Sequence, residues 1–297
     1  MKDIKSALKN SLIPAMATPL TEDLNLNLPS LEKLINFLVE AGVGGLFVGG
    51  TTGEGILMPL AQRMALHESS IDMAAGRVPV LVHVGANTTA ESVSLSKHAA
   101  AVGADAVVAV GPYFYPVDDR AQVAYFQAIA DSASGIPFFA YDIPQMAVNG
   151  LNPGLVKAMR KEISSFSGFK SSRPDAQMVR QLIDAAGEGL IVLVGNERIA
   201  LGTMALGAHG HISGISTAVP EPFVSMMKAF TAGDIDLARS YQRKINLLSD
   251  YLPAGGRIGA IKRILTERGI DAGPAVPPRP MPADDWPGWS QMRKIIE

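Results

Sequence analysis

The sequence reads AVVAV at residues 106–110, PFFAY at residues 137–141 and FSGFK at residues 166–170, with helix-like stretches between these short runs. The three runs are almost entirely apolar. Near-continuous apolar runs that alternate with helical segments are typical of parallel strands covered on both faces. This part of the chain therefore predicts βα units, in which each strand is followed by a helix that packs on the sheet.

The same unit recurs in both directions along the chain. The predicted strands are residues 13–17, 45–48, 78–84, 106–110, 137–141, 166–170, 190–194 and 210–213. The predicted helices between them are residues 30–41, 60–75, 90–102, 120–132, 153–161, 175–186 and 198–206. Eight consecutive units predict an α/β protein with a closed (β/α)₈ barrel, a TIM barrel, whose active site is built at the carboxyl ends of the strands.

The pattern changes after the eighth predicted strand. Three helical stretches follow without an intervening strand, at residues 221–232, 235–251 and 258–268. Five prolines at residues 273–282 favour an extended connector, and a last short helix is predicted at residues 284–296. We interpret residues 1–232 as the barrel domain that carries the active site, and residues 233–297 as a C-terminal helical extension.

The composition is that of an ordinary globular protein. The 297 residues have a formal net charge of −2, so the basic excess expected of a nucleic-acid-binding protein is missing. No apolar run approaches the ~18 residues of a membrane span, and the first residues lack the apolar core of a signal peptide, so we expect a cytoplasmic protein without a membrane partner. The absence of cysteine excludes disulfides, thiolate metal sites and a cysteine nucleophile.

Lys170 is the first candidate for catalysis. It ends the apolar run at residues 166–169, so the sixth strand would deliver its side chain to the mouth of the barrel. Burial there favours the neutral amine, which is a nucleophile toward a carbonyl carbon. A lysine at a strand end that simply reaches solvent is the structural alternative, and this residue alone does not decide between the two.

A loop with the sequence GGTTGEG follows the second strand at residues 49–55. Glycines such as Gly50 let backbone N–H groups approach a ligand, and the hydroxyls of Thr51 and Thr52 add donors, which together suit a carboxylate or a phosphate. The Gly-Lys-Ser/Thr ending of a P-loop is missing, and a Rossmann fingerprint fits poorly. A tight turn whose threonines cap a helix is the structural alternative.

Aromatic residues follow the fourth and fifth strands. Tyr141 ends the fifth strand, where a phenol beside an amine can transfer protons while a carbinolamine forms and loses water. Tyr113, Phe114 and Tyr115 form an aromatic turn after the fourth strand that is more typical of a wall or an interface than of a catalyst. All the candidates follow predicted strands and would meet at one rim of the barrel: Thr51, Thr52, Tyr113, Phe114, Tyr115, Tyr141, Lys170, Gly195 and Ile212.

These motifs resemble those of the dihydrodipicolinate synthase and N-acetylneuraminate lyase family of class I aldolases. The resemblance covers essentially the whole chain, and its elements occur in the family's order and spacing. The matching elements are GTTGE at residues 50–54, Tyr141-x-x-Pro144, Gly168-Phe169-Lys170, Gly195 before a helix, and Gly210-x-Ile212-Ser213.

The resemblance implies a role for each of the main candidates. Lys170 would form an imine with the 2-oxo carbon of the substrate, and Thr51 and Thr52 would hold the substrate carboxylate. Tyr141 would transfer protons, relayed by Thr51 toward a tyrosine of a neighbouring subunit. The resemblance also implies a homotetramer without a metal or an organic cofactor, because the covalent imine supplies the chemistry.

Two positions depart from the family pattern. Dihydrodipicolinate synthases carry an arginine two residues after the Tyr-x-x-Pro element, where it binds the carboxylate of the semialdehyde. Met146 stands at this position and cannot supply a bidentate fork to a carboxylate. The relay tyrosine aligns with Phe114, so Tyr113 or Tyr115 would replace it only if the turn shifts by one residue.

Three residues indicate a polyhydroxylated substrate tail. Ser172 lies two residues after Lys170 and would share its face in an extended strand. The family's sialic acid lyases and sugar-acid aldolases carry a hydroxyl residue there. Glu197 stands where a carboxylate contacts substrate hydroxyls in the lyases, and Ser213 would add a hydroxyl. Alternatively, Glu197 and Arg198 cap or decorate the next helix.

Two histidines have a spacing that metal ligands sometimes have. His209 and His211 would share one face of the eighth strand. No third ligand is evident and the implied chemistry needs no metal, so we predict no metal site. The remaining histidines lie singly in predicted helices and strands, where we expect structural roles: His67, His83 and His98.

The sequence therefore predicts a Schiff-base-forming lyase, a class I aldolase that releases or condenses pyruvate and acts on a small, hydroxylated 2-oxo acid. The same imine would serve a dehydratase or deaminase of a 2-keto-3-deoxy acid. A dihydrodipicolinate synthase is a further alternative, which Met146 disfavours. A non-catalytic keto-acid-binding protein is the alternative from a different class.

Overall fold

Eight parallel strands form a closed barrel in the computed structural model, which describes residues 4–133 and 135–297. Neighbouring strands pair in the order β1-β8-β7-β6-β5-β4-β3-β2, and β1 meets β2 through a bridge between Ala15 and Phe47. The prediction of a (β/α)₈ barrel is confirmed. The strands are β1 (Ser11–Pro14), β2 (Leu46–Val48), β3 (Val80–His83), β4 (Ala106–Val110), β5 (Phe138–Asp142), β6 (Phe166–Ser171), β7 (Ile191–Val194) and β8 (Gly210–Ser213).

Most helices follow the strands and cover the outside of the barrel, whereas the helix before β1 adds Ile4 and Leu8 to the apolar cluster inside it. The helices are α1 (Ile4–Leu8), α2 (Leu28–Glu40), α3 (Leu60–Ala74), α4 (Thr89–Ala101), α5 (Asp119–Ser132), α6 (Pro144–Ala147), α7 (Pro153–Glu162), α8 (Ala176–Ala186), α9 (Ala200–Ala205), α10 (Glu221–Thr231), α11 (Ile235–Tyr251), α12 (Arg257–Glu267) and α13 (Gly288–Ile296). No helix in the described part of the chain is long and apolar enough to cross a membrane.

Capping side chains fix where several of these helices begin. Thr88 caps α4 by accepting a hydrogen bond from the N–H of Glu91, and Asp118 caps α5 in the same way. Asn152 caps α7, with Pro153 at the first helical position. Such caps satisfy N–H groups that have no partner within the helix, so each preceding loop ends at a defined residue.

Apolar side chains fill the fold in two layers. One cluster lies inside the barrel, and a larger cluster lies between the strands and the surrounding helices. The inner cluster includes Phe47, Phe139 and Ile191, and it ends at Tyr141 and Tyr113 toward the mouth. Because the barrel interior is packed solid, a ligand has access only from the carboxyl ends of the strands.

Two predicted boundaries are wrong. The first strand is predicted at residues 13–17, whereas β1 spans Ser11–Pro14, because these are the residues that pair with Gly210–Ser213 of β8. The last helix is predicted from residue 284, but α13 starts at Gly288, since Pro287 disfavours a helical conformation in the residue before it. The other predicted strands and helices agree with the structure to within two residues, except one.

That exception is the stretch at residues 198–206, which the structure divides into a 3₁₀ turn (Glu197–Ile199) followed by α9. The short helices α1 and α6 are not predicted, because four or five residues are too few to show a helical period. The extension, α11 to α13, packs on the barrel at α9 and α10. The division of the chain at residue 232 stays a prediction.

Candidate active site

A cavity of about 610 Å³ opens at the carboxyl ends of the strands. Part of its wall comes from the C-terminal extension, through residues that the sequence analysis does not single out: Arg257, Ile258, Ile261 and Arg279. The structure also brings most of the predicted site residues together at this mouth. Those that line the cavity are Thr51, Thr52, Tyr141, Lys170, Ser172, Gly195, Glu197 and Ile212.

Lys170 lies at the centre of this group. It sits in β6 between Tyr141 of β5 and Leu193 of β7, and only 5% of its surface is exposed. Its Nζ lies 4.2 Å from the ring centroid of Tyr141 and 4.9 Å from that of Phe47. Within the described part of the chain no acidic side chain pairs with it, so the amine faces aromatic rings and the cavity.

Lys262 of α12 is the other buried lysine among the described residues. Its Nζ lies 2.9 Å from Oε2 of Glu54 and donates a hydrogen bond of 2.6 Å to the carbonyl of Pro274. Both charged side chains of the pair are fully buried. The ammonium of Lys262 is therefore held by partners, which distinguishes it from the amine of Lys170.

Tyr141 connects the lysine to the threonine loop. Its hydroxyl lies 3.2 Å from Oγ1 of Thr51, and either group can donate the hydrogen bond. The ring of Tyr141 makes edge-to-face contacts with Phe47 and His83, at centroid distances of 6.0 and 6.2 Å. These contacts fix the orientation of the ring, so its hydroxyl has a defined position beside Thr51 while the ring itself lies against Lys170.

The loop at residues 49–55 is folded too tightly for side chains at its glycines. A Cβ on Gly55 would lie 2.1 Å from the carbonyl oxygen of Gly49, and a Cβ on Gly50 would lie 2.5 Å from the ring of Phe47. The threonines do not cap the following turn, whose N-cap is Glu54 without a side-chain bond. The capping alternative is therefore wrong, and both threonine side chains border the cavity.

Glu197 reaches across to the end of β8. Its Oε1 accepts hydrogen bonds of 3.1 Å from the Ser213 hydroxyl and the N–H of Gly214, and lies 3.1 Å from Nη2 of Arg257. Burial alone would raise the pKa of this carboxyl, but Arg257 and backbone donors outweigh it, so the pKa lies below its ordinary value. Glu197 belongs to the cavity wall, while its neighbour Arg198 pairs with Asp250 of α11.

Ser172 and Gly195 lie against each other beside Lys170. A Cβ on Gly195 would lie 2.2 Å from the hydroxyl oxygen of Ser172 and 2.9 Å from Cε of Lys170. Only a glycine leaves room for both side chains there. Gly50 and Ser213, by contrast, do not line the cavity: Gly50 packs on Phe47, and the hydroxyl of Ser213 binds Glu197.

A buried carboxylate that the sequence analysis misses holds the ends of β5 and β6 together. Asp142 accepts hydrogen bonds from the Ser171 hydroxyl at 2.8 Å and from Nε of Arg173 at 2.7 Å through Oδ2. Its Oδ1 accepts one from the N–H of Leu151 at 2.9 Å. Because Asp142 and Ser171 directly follow Tyr141 and Lys170, the network fixes the two strand ends. The sequence feature that points to Asp142 is an acidic residue directly after a predicted strand.

The aromatic turn after β4 splits into an inner and two outer residues. Tyr113 is half-buried and lines a small cavity of about 70 Å³ together with Thr51 and Tyr141. Burial raises its pKa. Phe114 and Tyr115 are 75% and 71% exposed and contact each other at the surface. Within one chain, Tyr113 is therefore the residue of this turn nearest the predicted relay.

The histidines occupy packed positions. His211 stacks on Phe223 with ring centroids 5.8 Å apart, and burial lowers its pKa to about 4. His209 accepts a hydrogen bond from the N–H of Val192, and burial lowers the pKa of His67 to about 3. Among the described residues no group of three or more His, Cys, Asp or Glu side chains is placed to hold a metal ion.

The sequence matches the Dihydrodipicolinate synthetase family over residues 8–288, which spans the barrel and most of the extension. The chain belongs to this family. Members of the family are lyases of the class I aldolase type, and this chain is a lyase of the same kind. The resemblance seen in the sequence motifs is thereby confirmed.

Relatives within the family carry different names. The chain is 34% identical over 270 residues to the 4-hydroxy-tetrahydrodipicolinate synthase of Exiguobacterium, covering 91% of this chain and 92% of that protein. It superposes with a TM-score of 0.89 on the wild-type sialic acid aldolase of Ruminococcus gnavus, at 28% identity and with 98% and 95% coverage. YagE of Escherichia coli K12, solved in complex with pyruvate, gives a TM-score of 0.89 at 29% identity, with 96% and 97% coverage.

Proposed function

We propose that this member of the family is a Schiff-base lyase that cleaves a hydroxylated 2-oxo acid to pyruvate and an aldehyde, or joins the two in reverse. The observation that carries the proposal is the position of Lys170. Its amine is buried, lacks an acidic partner among the described residues and faces a cavity bordered by Thr51, Thr52 and Tyr141. The pyruvate complex of YagE, a protein of the same family, supports pyruvate as the released or condensed unit.

The substrate carboxylate binds at the threonine loop. Thr51 and Thr52 border the cavity, and the glycines of the tight turn allow backbone N–H groups to approach a ligand beside them. A carboxylate held there leaves the adjacent C2 carbonyl near Lys170. Since the loop is fixed by close backbone contacts, it is pre-organised for this anion.

Imine formation then uses the amine of Lys170 and the phenol of Tyr141. The amine attacks C2 and forms a carbinolamine, and Tyr141 donates a proton to its hydroxyl, which leaves as water. The product is an iminium ion between C2 and Nζ. Tyr141 is left as a phenolate, which the hydroxyl of Thr51, 3.2 Å from the phenol oxygen, stabilises by donating a hydrogen bond until the next step.

Carbon–carbon cleavage follows from the iminium ion. Tyr141 takes the proton of the C4 hydroxyl, the C3–C4 bond breaks, and its electron pair moves to the iminium nitrogen. The aldehyde leaves, and the remaining enamine takes a proton at C3. Water then adds to C2, which releases pyruvate and restores the free amine of Lys170.

The tail of the substrate lies along Ser172 and Glu197. In the described part of the chain the Glu197 side chain accepts its hydrogen bonds through Oε1, so Oε2 is left to accept from a substrate hydroxyl. The lowered pKa of Glu197 keeps it ionised at neutral pH. A hydroxylated tail also agrees with the name of the Ruminococcus relative, a sialic acid aldolase.

Three alternatives give different products from the same site. A dehydratase or deaminase would yield a dehydrated or deaminated keto acid in place of free pyruvate. A dihydrodipicolinate synthase, the activity named for the Exiguobacterium relative, would condense pyruvate with aspartate semialdehyde. Met146, 61% exposed, offers no guanidinium for the semialdehyde carboxylate. A binding protein would saturate with ligand and release nothing.

Incubation with pyruvate and borohydride, followed by intact-protein mass measurement, tests the proposal. We expect a mass increase of one reduced pyruvate per chain. Product analysis with hydroxylated 2-oxo acids then separates cleavage from elimination. A protein that forms no adduct with pyruvate or with longer 2-oxo acids would contradict the lyase proposal and favour a binding protein.

Replacement of Tyr141 by phenylalanine should slow the reaction without removing the imine. The ring contacts with Phe47 and His83 stay, but the hydroxyl 3.2 Å from Thr51 is lost. We expect kcat to fall by about 10²–10⁴-fold, the usual contribution of a positioned acid or base. Steady-state kinetics measure this. A Tyr125→Phe variant, altered in a buried tyrosine of α5, is the control. Unchanged kcat in Tyr141→Phe would remove Tyr141 from the proton path.

We also propose that the protein is a homotetramer. The partly exposed side chains of Ile56, Leu57 and Met146 line the small cavity at Tyr113. Phe114, Tyr115 and Val148, which lie within two residues of its lining along the chain, are between 55% and 75% exposed. Exposed apolar patches of this kind mark association surfaces. Light scattering should give a mass near four chains, and Phe114→Asp should lower it. A monomer in the unaltered protein would contradict the proposal.

A further inference from the structure

The cavity carries more positive charge than the proposed reaction uses. Among the described residues, its charged side chains comprise a single acid, Glu197, against Lys170 and three arginines. Arg198 is already paired with Asp250 at the rim. The other two arginines, Arg257 and Arg279, come from the C-terminal extension. Since the substrate carboxylate binds at the threonine loop, these two arginines need another explanation.

Arg257 has more N–H donors than its contact with Glu197 uses. It begins α12, and one of its nitrogens, Nη2, lies 3.1 Å from Oε1 of Glu197. A guanidinium has five N–H donors in a planar fork, so this single contact leaves most of them available. The side chain is 39% exposed, and the space beside it is the cavity.

Arg279 lies on the same wall. It is partly buried, and its guanidinium makes no hydrogen bond or ion pair with the residues that the structure describes. Its loop packs directly on α12, since a Cβ on Gly259 would lie 2.4 Å from the carbonyl oxygen of Pro280. Arg257 and Arg279 therefore stand on adjoining segments. A partly buried cation without an anion is costly, and a bound anion would offset that cost.

We propose that the substrate carries a second anionic group, a carboxylate or a phosphate, at the end remote from the 2-oxo acid, and that Arg257 and Arg279 bind it. The inference rests on the proposed lyase function and narrows its substrate class. Arginine forks match the geometry of both anions. The cavity, at about 610 Å³, is within the size range of sites for much larger ligands than pyruvate.

The test compares 2-oxo-3-deoxy sugar acids of one chain length and configuration that differ only at the last carbon. One ends in a hydroxymethyl group, one in a carboxylate and one in a phosphate ester. We expect the protein to prefer at least one anionic compound over the hydroxymethyl compound by about tenfold or more in kcat/KM. The anionic compound that the protein prefers shows whether the site binds a carboxylate or a phosphate. If a compound is not cleaved, the concentration at which it blocks borohydride trapping of pyruvate measures its binding. The three compounds can then be ranked by that concentration.

The variants Arg257→Gln and Arg279→Gln should each reduce kcat/KM for the preferred anionic compound by about tenfold or more, and for the hydroxymethyl compound by less than about threefold. Glutamine at position 257 removes the charge, while the Ser213 hydroxyl and the N–H groups of Gly214 and Ile215 still hold the carboxylate of Glu197 in place. Arg180→Gln, which alters an exposed arginine of α8 that pairs with Asp184 and does not line the cavity, is the control and should change neither.

Two outcomes would overturn the inference. In the first, the unaltered protein shows no preference for an anionic tail. In the second, the variants weaken all three compounds by the same factor, which would make Arg257 a positioning residue for Glu197. Trapping with pyruvate, which has no tail, should be unchanged in both variants. If the unaltered protein forms no trapped adduct with pyruvate, that result would instead contradict the lyase function itself.

Discussion

Lys170→Ala is expected to abolish the borohydride-trapped pyruvate adduct and to lower kcat/KM for cleavage by at least about 10³-fold. The reaction needs an electron sink at C2, and the iminium nitrogen of Lys170 is that sink. Among the residues that the structure describes, no other lysine lines the cavity and could replace it. The other buried lysine of the described chain, Lys262, is held by Glu54 and by the carbonyl of Pro274.

Intact mass and steady-state kinetics on the same preparations measure this expectation. Lys157→Ala is the control, since Lys157 is an exposed lysine of α7 that does not line the cavity, and its loss should leave adduct and rate unchanged. Thermal unfolding verifies that Lys170→Ala is folded. An adduct that persists in Lys170→Ala would show that another amine is the nucleophile. The roles proposed for Tyr141 and Thr51 depend on that of Lys170 and would be contradicted as well.

The barrel could be predicted from the sequence because its strands are buried on both faces. Short apolar runs show that burial directly, and two of them, at residues 106–110 and 210–213, have the bounds of β4 and β8. The ends of a strand depend on its pairing partner as well as on burial. For this reason the first strand shifts to Ser11–Pro14, where β8 supplies the hydrogen bonds. Periodicity alone contains no information about such a partner.

The same reasoning separates the site residues that could be predicted from those that could not. Lys170 and Tyr141 each end an apolar run, so a barrel necessarily places them at one rim. Arg257 and Arg279 follow the last strand by tens of residues, in segments whose docking on the barrel depends on tertiary packing. Asp142 is intermediate: it directly follows Tyr141, but its partner Arg173 is visible only once β5 and β6 lie side by side.

Glu54 and Lys262 form the contact through which the extension fixes the substrate loop. Glu54 ends the GTTGE motif with φ +57° and is almost fully buried. Its Oε2 pairs with Lys262, and its Oε1 accepts a 2.9 Å hydrogen bond from the N–H of Val276. Burial lowers the pKa of Lys262, an effect that the charge of Glu54 opposes. The barrel loop and two segments of the extension therefore meet at one buried carboxylate.

Lys262→Met should accordingly lower the free energy of unfolding by about 3–5 kcal/mol. Methionine has a similar length, but it leaves the carboxylate of Glu54 buried without a counter-charge, and removal of one partner from a buried pair costs about that much. Denaturant unfolding measures the change. Lys228→Met on α10, at an exposed lysine, is the control and should stay within about 0.5 kcal/mol of the unaltered protein.

The double variant Glu54→Gln/Lys262→Met identifies the cause of the loss. With the charge of Glu54 removed as well, we expect the double variant to be more stable than Lys262→Met alone, because the main cost is the uncompensated carboxylate and not the missing contact. If the two losses simply add, the pair is not coupled and the argument fails. Because Thr51 and Thr52 lie in the same loop, Lys262→Met should also raise the pyruvate concentration that half-saturates adduct formation. An unchanged half-saturation would mean that the loop keeps its shape without the extension.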